Sequence, residues 1–309
     1  MLANFLNKSK PINFIGLLIL FFVSLSYAFY TTILTESSYS NMLLKFGALT
    51  LFFLVIFFFF NFVNSKNRLT FDNSYAYFLF SILLIAVLAE LLNYSILIKT
   101  IIYLLFLRKI YSLRSNRNVT EKLFDSGFWL GIFFIIEPLS ILLFILAYSA
   151  IFLHNKITIR TLLTPIIGFI SPLIIYFAYN FWFDKTEELN SLFYFDMKPD
   201  LEFYSSTKYL WLVYTTFFLT VFAIIFKSAT TLSINNRFRR NWIILIINFF
   251  LMLLFIFLTP EKNGSELIYI LFPTSIILAN GVELIKKKII KNIVLYLFLI
   301  GGIISCFVL

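Results

Sequence analysis

The sequence predicts an all-α fold, a polytopic bundle of about eleven transmembrane helices with the N-terminus in the cytoplasm and the C-terminus outside. Hydrophobic residues make up 61% of the chain and charged residues only 13%, whereas soluble domains have about half and about a quarter. Apolar runs of about 14 to 22 residues recur from end to end, and a hydrocarbon core of about 30 Å needs about 20 residues per helix. We therefore expect one integral membrane domain, with lipid as its main solvent.

Helices are favoured over strands because the apolar runs do not alternate. Leu51–Phe60 is apolar at every position, whereas the strands of a membrane barrel alternate between lipid-facing and lumen-facing residues. A helix also satisfies each backbone N–H and C=O within its own segment. The predicted spans are Asn13–Ile33, Leu43–Val63, Ser74–Ala89, Ser95–Leu107, Phe124–Ile136, Leu139–Leu153, Leu162–Trp182, Tyr209–Phe226, Trp242–Leu258, Leu267–Leu284 and Ile293–Val308.

The distribution of basic residues predicts the orientation of the spans, since short basic loops are retained in the cytoplasm. Nineteen of the 25 basic residues fall in every second connection. These are Lys8, Lys10, Lys66, Arg68, Arg108, Lys109, Arg114, Arg117, Lys122, Lys156, Arg160, Lys227, Arg237, Arg239, Arg240, Lys286, Lys287, Lys288 and Lys291. We expect these connections in the cytoplasm, where the net charge of +10 would meet anionic lipid headgroups. No soluble basic domain is predicted, so nucleic acid is not an expected partner.

The run Phe124–Leu153 has two interpretations: two short helices or one kinked helix of about 30 residues. Basic clusters flank it on both sides, which requires an even number of crossings if both lie in the cytoplasm. Pro138 lacks the N–H that a helix interior needs and disfavours helix at Glu137. We predict two helices that turn at Glu137 and Pro138.

The only sizeable external loop is predicted at residues 184–208, where acidic and aromatic residues alternate. Aromatic residues at this depth usually mark the membrane interface, and the alternative interpretation is a docking surface for an external partner. The candidate partner-binding residues are Glu187, Glu188, Phe193, Tyr194, Phe195 and Asp196. The expected partners are membrane lipids and other inner-membrane or periplasmic proteins.

Few residues are candidates for catalysis. The sequence has no phosphate-binding glycine loop, zinc-protease motif or nucleophile elbow. His154 is the single histidine and Cys306 the single cysteine, so no metal site of nitrogen and sulfur ligands and no cofactor are expected. Glu36, Glu137 and Glu261, at predicted outer connections, are the candidate catalytic acids. Lys99 lies slightly inside a span and could extend to the interface or pair with Glu90.

Two stretches resemble polytopic glycosyltransferases of the C type, which use lipid-linked sugar donors. They are Asp125–Gly131 (DSGFWLG), followed by Pro165, Gly168 and Pro172 in a later span, and Thr259–Lys262 with Glu266–Pro273. The resemblance implies a related helix arrangement. That family carries acidic catalytic residues in a long first external loop, whereas this loop is short and offers only Glu36, and Glu266 replaces a basic residue.

The whole chain also resembles an uncharacterised family of multispan inner-membrane proteins from Bacteroidota, with a start similar to Lys10–Asn13 (KPIN). The resemblance implies the inner (cytoplasmic) membrane and no particular activity.

These observations favour a non-enzymatic subunit of a bacterial inner-membrane assembly that serves protein export or envelope biogenesis. The alternative is a reduced lipid-linked glycosyltransferase of the C type, or a phospho-sugar transferase, that uses Glu36 with Glu137 or Glu261. A transporter is a third hypothesis, which would require an inverted repeat with paired broken helices, and no such symmetry is visible in the sequence.

Overall fold

A computed structural model describes the chain except for residues 33–38, 116, 186, 188–189, 191, 196, 206, 232–235, 261 and 308–309. For residues 39–41, 207–208, 210–211, 236–237 and 307 it describes the backbone alone. Within these limits the structure contains helices and no strands, which confirms the all-α class.

Twelve α-helices lie in the described part of the chain, with 3-10 segments at Leu88–Leu91, Pro138–Leu142, Glu202–Ser205 and Ser265–Leu267. The helices are α1 (Leu2–Leu6), α2 (Pro11–Thr32), α3 (Tyr39–Asn67), α4 (Tyr75–Ala86), α5 (Tyr94–Ser112), α6 (Val119–Ile136), α7 (Leu143–Leu153), α8 (Ile159–Trp182), α9 (Thr207–Thr231), α10 (Asn236–Leu258), α11 (Ile268–Leu284) and α12 (Lys288–Phe307). Each of the eleven predicted spans overlaps one of these helices in its described residues, and α1 is additional.

Seven helical segments in the described chain are long and apolar enough to cross a membrane. They are Pro11–Thr32, Met42–Asn67, Ile159–Trp182, Leu212–Thr231, Phe238–Leu258, Ser265–Leu284 and Lys288–Cys306. Two shorter apolar helical segments, Tyr75–Ala86 and Pro138–Leu153, accompany them. The exact number of crossings and their orientation stay predictions.

The chain forms two compact units. Unit 1 comprises Met1–Leu97, Leu201–Asn235 and Lys262–Leu309, and unit 2 comprises Ile98–Asp200 and Asn236–Glu261. Each unit is therefore built from segments that are distant in the sequence.

The core of unit 1 forms around α4, whose residues are all buried. Helices α2, α11 and α12 pack against it. The rings of Phe60 and Phe80 stack with their centroids 3.9 Å apart. Gly302 packs against α4 so closely that a Cβ atom at this position would lie 2.5 Å from Ile82 Cγ2. Burial of these apolar side chains leaves α4 enclosed by the longer helices of the unit.

In unit 2, α6 and α8 pack at close range through three glycines. A Cβ on Gly127 would overlap the backbone of Pro165, a Cβ on Gly131 would overlap that of Phe169, and Gly168 fits equally tightly against α6. Glycines four residues apart let two helix backbones touch, as in membrane helix pairs. Because contact positions advance along both helices in the same direction, α6 and α8 are parallel. The segment between α6 and α8 must therefore run in the opposite direction.

The return begins at Glu137, where α6 ends. This residue is extended, with φ −143° and ψ 91°, and Pro138 then opens the 3-10 segment that leads into α7. Proline cannot donate the helical hydrogen bond, which accounts for the break. The structure thus has two helices here, as predicted, and not one kinked helix.

Candidate functional sites

Of the three candidate catalytic acids, the structure describes only Glu137. Glu36 and Glu261 lie outside the described residues. Glu137 lies at the end of α6, where its Oε2 accepts a hydrogen bond from Lys99 Nζ at 2.8 Å. Both side chains are about one-fifth exposed, at 18% and 21%. The sequence suggested Glu90 as a partner for Lys99, and the structure pairs it with Glu137 instead, within unit 2.

The loop predicted to be external is anchored at a few described positions and exposed between them. Leu192 is buried, and the backbone N–H of Lys198 donates to the Leu258 carbonyl at 3.3 Å. In contrast, Phe193 and Tyr194 are 64% and 85% exposed. Phe195 is 39% exposed, with its ring centroid 6.5 Å from that of Phe134.

Of the other candidate partner-binding residues, Glu187 is exposed, and Glu188 and Asp196 lie outside the described residues. Asp184 and Asp200, which lie in the same unit and in the same stretch of the sequence, are also exposed. We call Phe193, Tyr194 and Phe195 the aromatic loop patch. It is an exposed apolar surface in a stretch of the sequence that carries more acidic than basic residues.

A second site, not foreseen from the sequence, is a cluster of two acids and two tyrosines in unit 1. Tyr209 donates its phenol hydrogen bond to Glu90 Oε1 at 2.7 Å, and Tyr204 donates to Glu266 Oε1. Tyr204, Tyr209 and Glu266 are all buried. We call these four residues the acid–tyrosine cluster.

Close packing holds the acid–tyrosine cluster together. Gly264 has φ +87°, and a Cβ there would lie 2.8 Å from the Tyr209 hydroxyl and 3.1 Å from Glu90 Cγ. Glycine suits this position because it adopts positive φ without strain and leaves room for both side chains. Burial, together with the neighbouring Glu266 carboxylate, raises the pKa of Tyr204 well above its usual range. The phenol therefore stays protonated and able to donate.

A third site is a buried ion pair, also in unit 1. Lys227 Nζ lies 3.3 Å from Glu283 Oε2, and the two side chains are only 2% and 9% exposed. Glu283 Oε1 accepts from Asn73 Nδ2 at 2.6 Å and from the backbone N–H of Phe71 at 3.1 Å. Lys227 also lies over the Phe71 ring, 5.1 Å from its centroid.

Lys227 was predicted among the loop cations, but it lies inside α9. The signal that could have identified this pair was Glu283, an acid in the last turn of a predicted apolar span. An acid at that depth calls for a cation or several donors.

His154, which follows α7, is buried among cations. Burial and the nearby Arg240 lower its pKa to about 4, opposed in part by a hydrogen bond with Asn241. The imidazole is therefore neutral at ordinary pH, which suits a residue packed beside basic side chains. The described residues contain no group of three or more His, Cys, Asp or Glu side chains that could hold a metal ion.

The long apolar helices and the sites at their ends define a class: this is an all-helical, multi-pass membrane protein. The chain belongs to the family of unknown function DUF6427, whose model matches residues 1–308. No curated protein and no solved structure matches the chain. Functional assignment thus depends on the sites themselves.

Proposed function

We propose that this protein is a non-enzymatic integral membrane subunit of a bacterial inner-membrane assembly, and that the aromatic loop patch binds an external partner protein. Protein export or envelope biogenesis is the process we favour for such an assembly. The observation that carries the proposal is the exposure of Phe193 and Tyr194 in an anchored loop beyond α8.

Aromatic side chains contribute strongly to protein interfaces because they bury a large area at a small cost in conformational entropy. Phe193 and Tyr194 are neighbours, so one partner surface could cover both rings. The anchors at Leu192 and Lys198 hold the ends of this short stretch, which limits the entropy lost on binding. A patch of this kind fits an interface better than a catalytic centre.

The charge around the patch specifies the chemistry of the partner. Glu187, Asp184, Asp200 and Glu202 are exposed near it in the sequence. Complementary potentials steer association and suppress wrong partners. We therefore expect a partner surface with an apolar pocket rimmed by Lys or Arg.

The described acids also favour a structural role. Glu137 pairs with Lys99, Glu90 accepts from Tyr209, and Glu266 accepts from Tyr204. A general acid or base needs a path to a substrate proton. Carboxylates engaged by their own protein are better explained as parts of the scaffold.

Site-specific photocrosslinking in intact cells tests the proposal. A benzophenone amino acid at Tyr194 should give one dominant adduct with a second protein. The same amino acid at Ile174, which is 61% exposed on α8, is the control and should not give that adduct. Adducts with lipid alone from Tyr194, together with recovery of the chain alone after gentle purification, would contradict the proposal.

A pair of variants separates the docking role from catalysis. The double change Phe193→Ser and Tyr194→Ser should reduce co-purification of the partner while leaving the amount of chain in the membrane unchanged. Glu36→Ala should support the cellular function as well as the natural chain does. Loss of that function in a stably produced Glu36→Ala variant would favour the lipid-linked glycosyltransferase instead.

A further inference from the structure

Unit 1 contains an apolar cavity of about 360 Å³ between α4, α9 and α12. Its wall includes Ile82 and Ala86 from α4, Leu212 and Thr216 from α9, and Gly301 from α12. This volume lies within the range of about 300 to 1,000 Å³ that is typical of small-molecule sites. All the lining residues belong to unit 1.

The cavity offers almost no hydrogen-bonding group to a ligand. Among the described residues that line it, the only polar side chains are Thr215 and Thr216, and both hydroxyls donate to the Leu212 carbonyl of their own helix. Water occupies a cavity only where it finds about two to four polar partners, and apolar cavities stay dry or take apolar ligands. A ligand that fits this cavity must therefore be apolar.

The rim of the cavity is open to the surroundings of the helices. Leu219 is 43% exposed, Leu297 is 64% exposed and Ile300 is 53% exposed. These residues lie in helices that are apolar enough to span a membrane. Lipid is the medium that such a rim would meet.

The cavity is elongated along the helices. It extends from Leu212 to Leu219 on α9 and from Leu297 to Ile304 on α12, which is about 10 Å at a rise of about 1.5 Å per residue. A spanning helix of a second copy would need a groove of about 30 Å. An extended hydrocarbon chain fits the shorter groove better.

One end of the cavity lies next to the acid–tyrosine cluster. Ala86 lies four positions before Glu90, and Leu212 lies three positions after Tyr209. The orientation predicted from the basic residues puts this end at the outer leaflet. Lys227 and Glu283 mark the opposite end of α9 and α11.

We propose that the cavity binds one acyl chain of a phospholipid from the leaflet at the Glu90 and Tyr209 end. The chain fills the space between α4, α9 and α12, and recovers the dispersion contacts that an empty apolar cavity lacks. The site is independent of the aromatic loop patch, which lies in unit 2.

The test uses the full-length chain in nanodiscs of phosphatidylcholine that carries a diazirine in its acyl chain. After photolysis, peptide mass spectrometry should find the adducts concentrated in Leu212–Leu219 and Leu297–Ile304. The exposed α2 positions Ile15, Ile19 and Val23 provide the reference for simple lipid contact. Equal labelling of α2 and the cavity segments would overturn the proposal.

Two variants check that the cavity itself retains the lipid. Native mass spectrometry should find one retained lipid on the natural chain, and Thr215→Phe, which places a ring in the cavity, should abolish it. Ala229→Phe makes a similar change at an exposed position of α9 outside the cavity, and should retain that lipid. Retention by both variants would overturn the proposal, as would crosslinks from the cavity to a second copy in place of lipid. The wild-type labelling pattern decides the matter even if Thr215→Phe does not fold.

Discussion

In the described part of unit 1, the carboxylates of Glu283 and Glu266 are both nearly inaccessible to solvent, and they are stabilised by different means. Glu283 is paired with the cation Lys227 and also accepts hydrogen bonds from Asn73 and from the Phe71 backbone. Glu266 instead accepts from the neutral phenol of Tyr204 and, at 3.4 Å, from the backbone N–H of Asn263. A cation balances charge, whereas a phenol supplies only a donor. The two sites should therefore respond differently when a partner is removed.

The largest effect is expected at Lys227. Lys227→Met leaves the Glu283 carboxylate buried beside an apolar side chain, and the loss of one partner from a buried ion pair costs about 3 to 5 kcal/mol. The free energy of unfolding, measured by SDS titration in mixed micelles, should fall by this order. The double variant Lys227→Met with Glu283→Gln should recover part of the loss, because it removes the uncompensated charge. A single variant as stable as the natural chain would show that the pair contributes little.

A smaller effect is expected at Tyr209. Tyr209→Phe removes the hydrogen bond to Glu90, and hydrogen bonds to charged groups contribute about 1.5 to 3 kcal/mol. Tyr214→Phe, a change at a half-exposed position of the same helix, is the matched control and should leave the same unfolding free energy unchanged. Equal effects of the two changes would mean that the acid–tyrosine cluster has no special energetic weight.

His154 in unit 2 extends the comparison to a buried base among cations. Its pKa is about 4 in the folded protein and about 6.5 in the unfolded chain. At a pH between these two values, the unfolded chain binds the proton and the folded chain does not. Stability should therefore fall as the pH decreases, by about 1 kcal/mol from about pH 7.5 to about pH 5.5. His154→Gln should flatten this part of the curve in thermal unfolding. An unchanged slope would contradict a neutral, buried imidazole.

The smallest effect is expected on the alkaline side, at Tyr204. Its folded pKa is raised, so its contribution is complete below the unfolded value of about 10 and is lost as the pH rises further. The melting temperature should therefore decrease from about pH 9 to about pH 10.5, by the equivalent of about 1 kcal/mol or less. Tyr204→Phe should show a shallower decrease. An identical decrease in both proteins would assign the effect to other tyrosines.

Much of the helical fold was predictable because its signals are local. Each apolar run became a helix, and Pro138 ends α6 for the reason expected from its missing N–H. The exposed position of Tyr194 also follows from an acidic, aromatic stretch between two apolar runs.

The contacts that build the sites were not predictable because they join distant segments. Tyr209 and Glu90 are 119 positions apart, and Lys227 and Glu283 are 56 apart. The apolar cavity is a property of three helices at once, and no single stretch encodes its shape. Lys227 was misplaced for a related reason: a basic residue just after an apolar run has the same local pattern in a loop as in a buried pair.

Cysteine labelling from one side of the membrane tests the central claim most directly, namely that the aromatic loop patch lies outside the cell membrane and faces a partner. In a Cys306→Ser background, a membrane-impermeant maleimide should label Tyr194→Cys in intact spheroplasts. It should label Arg114→Cys only after the membrane is permeabilised. Labelling of both positions from the same side would contradict the topology and, with it, the proposed external docking role.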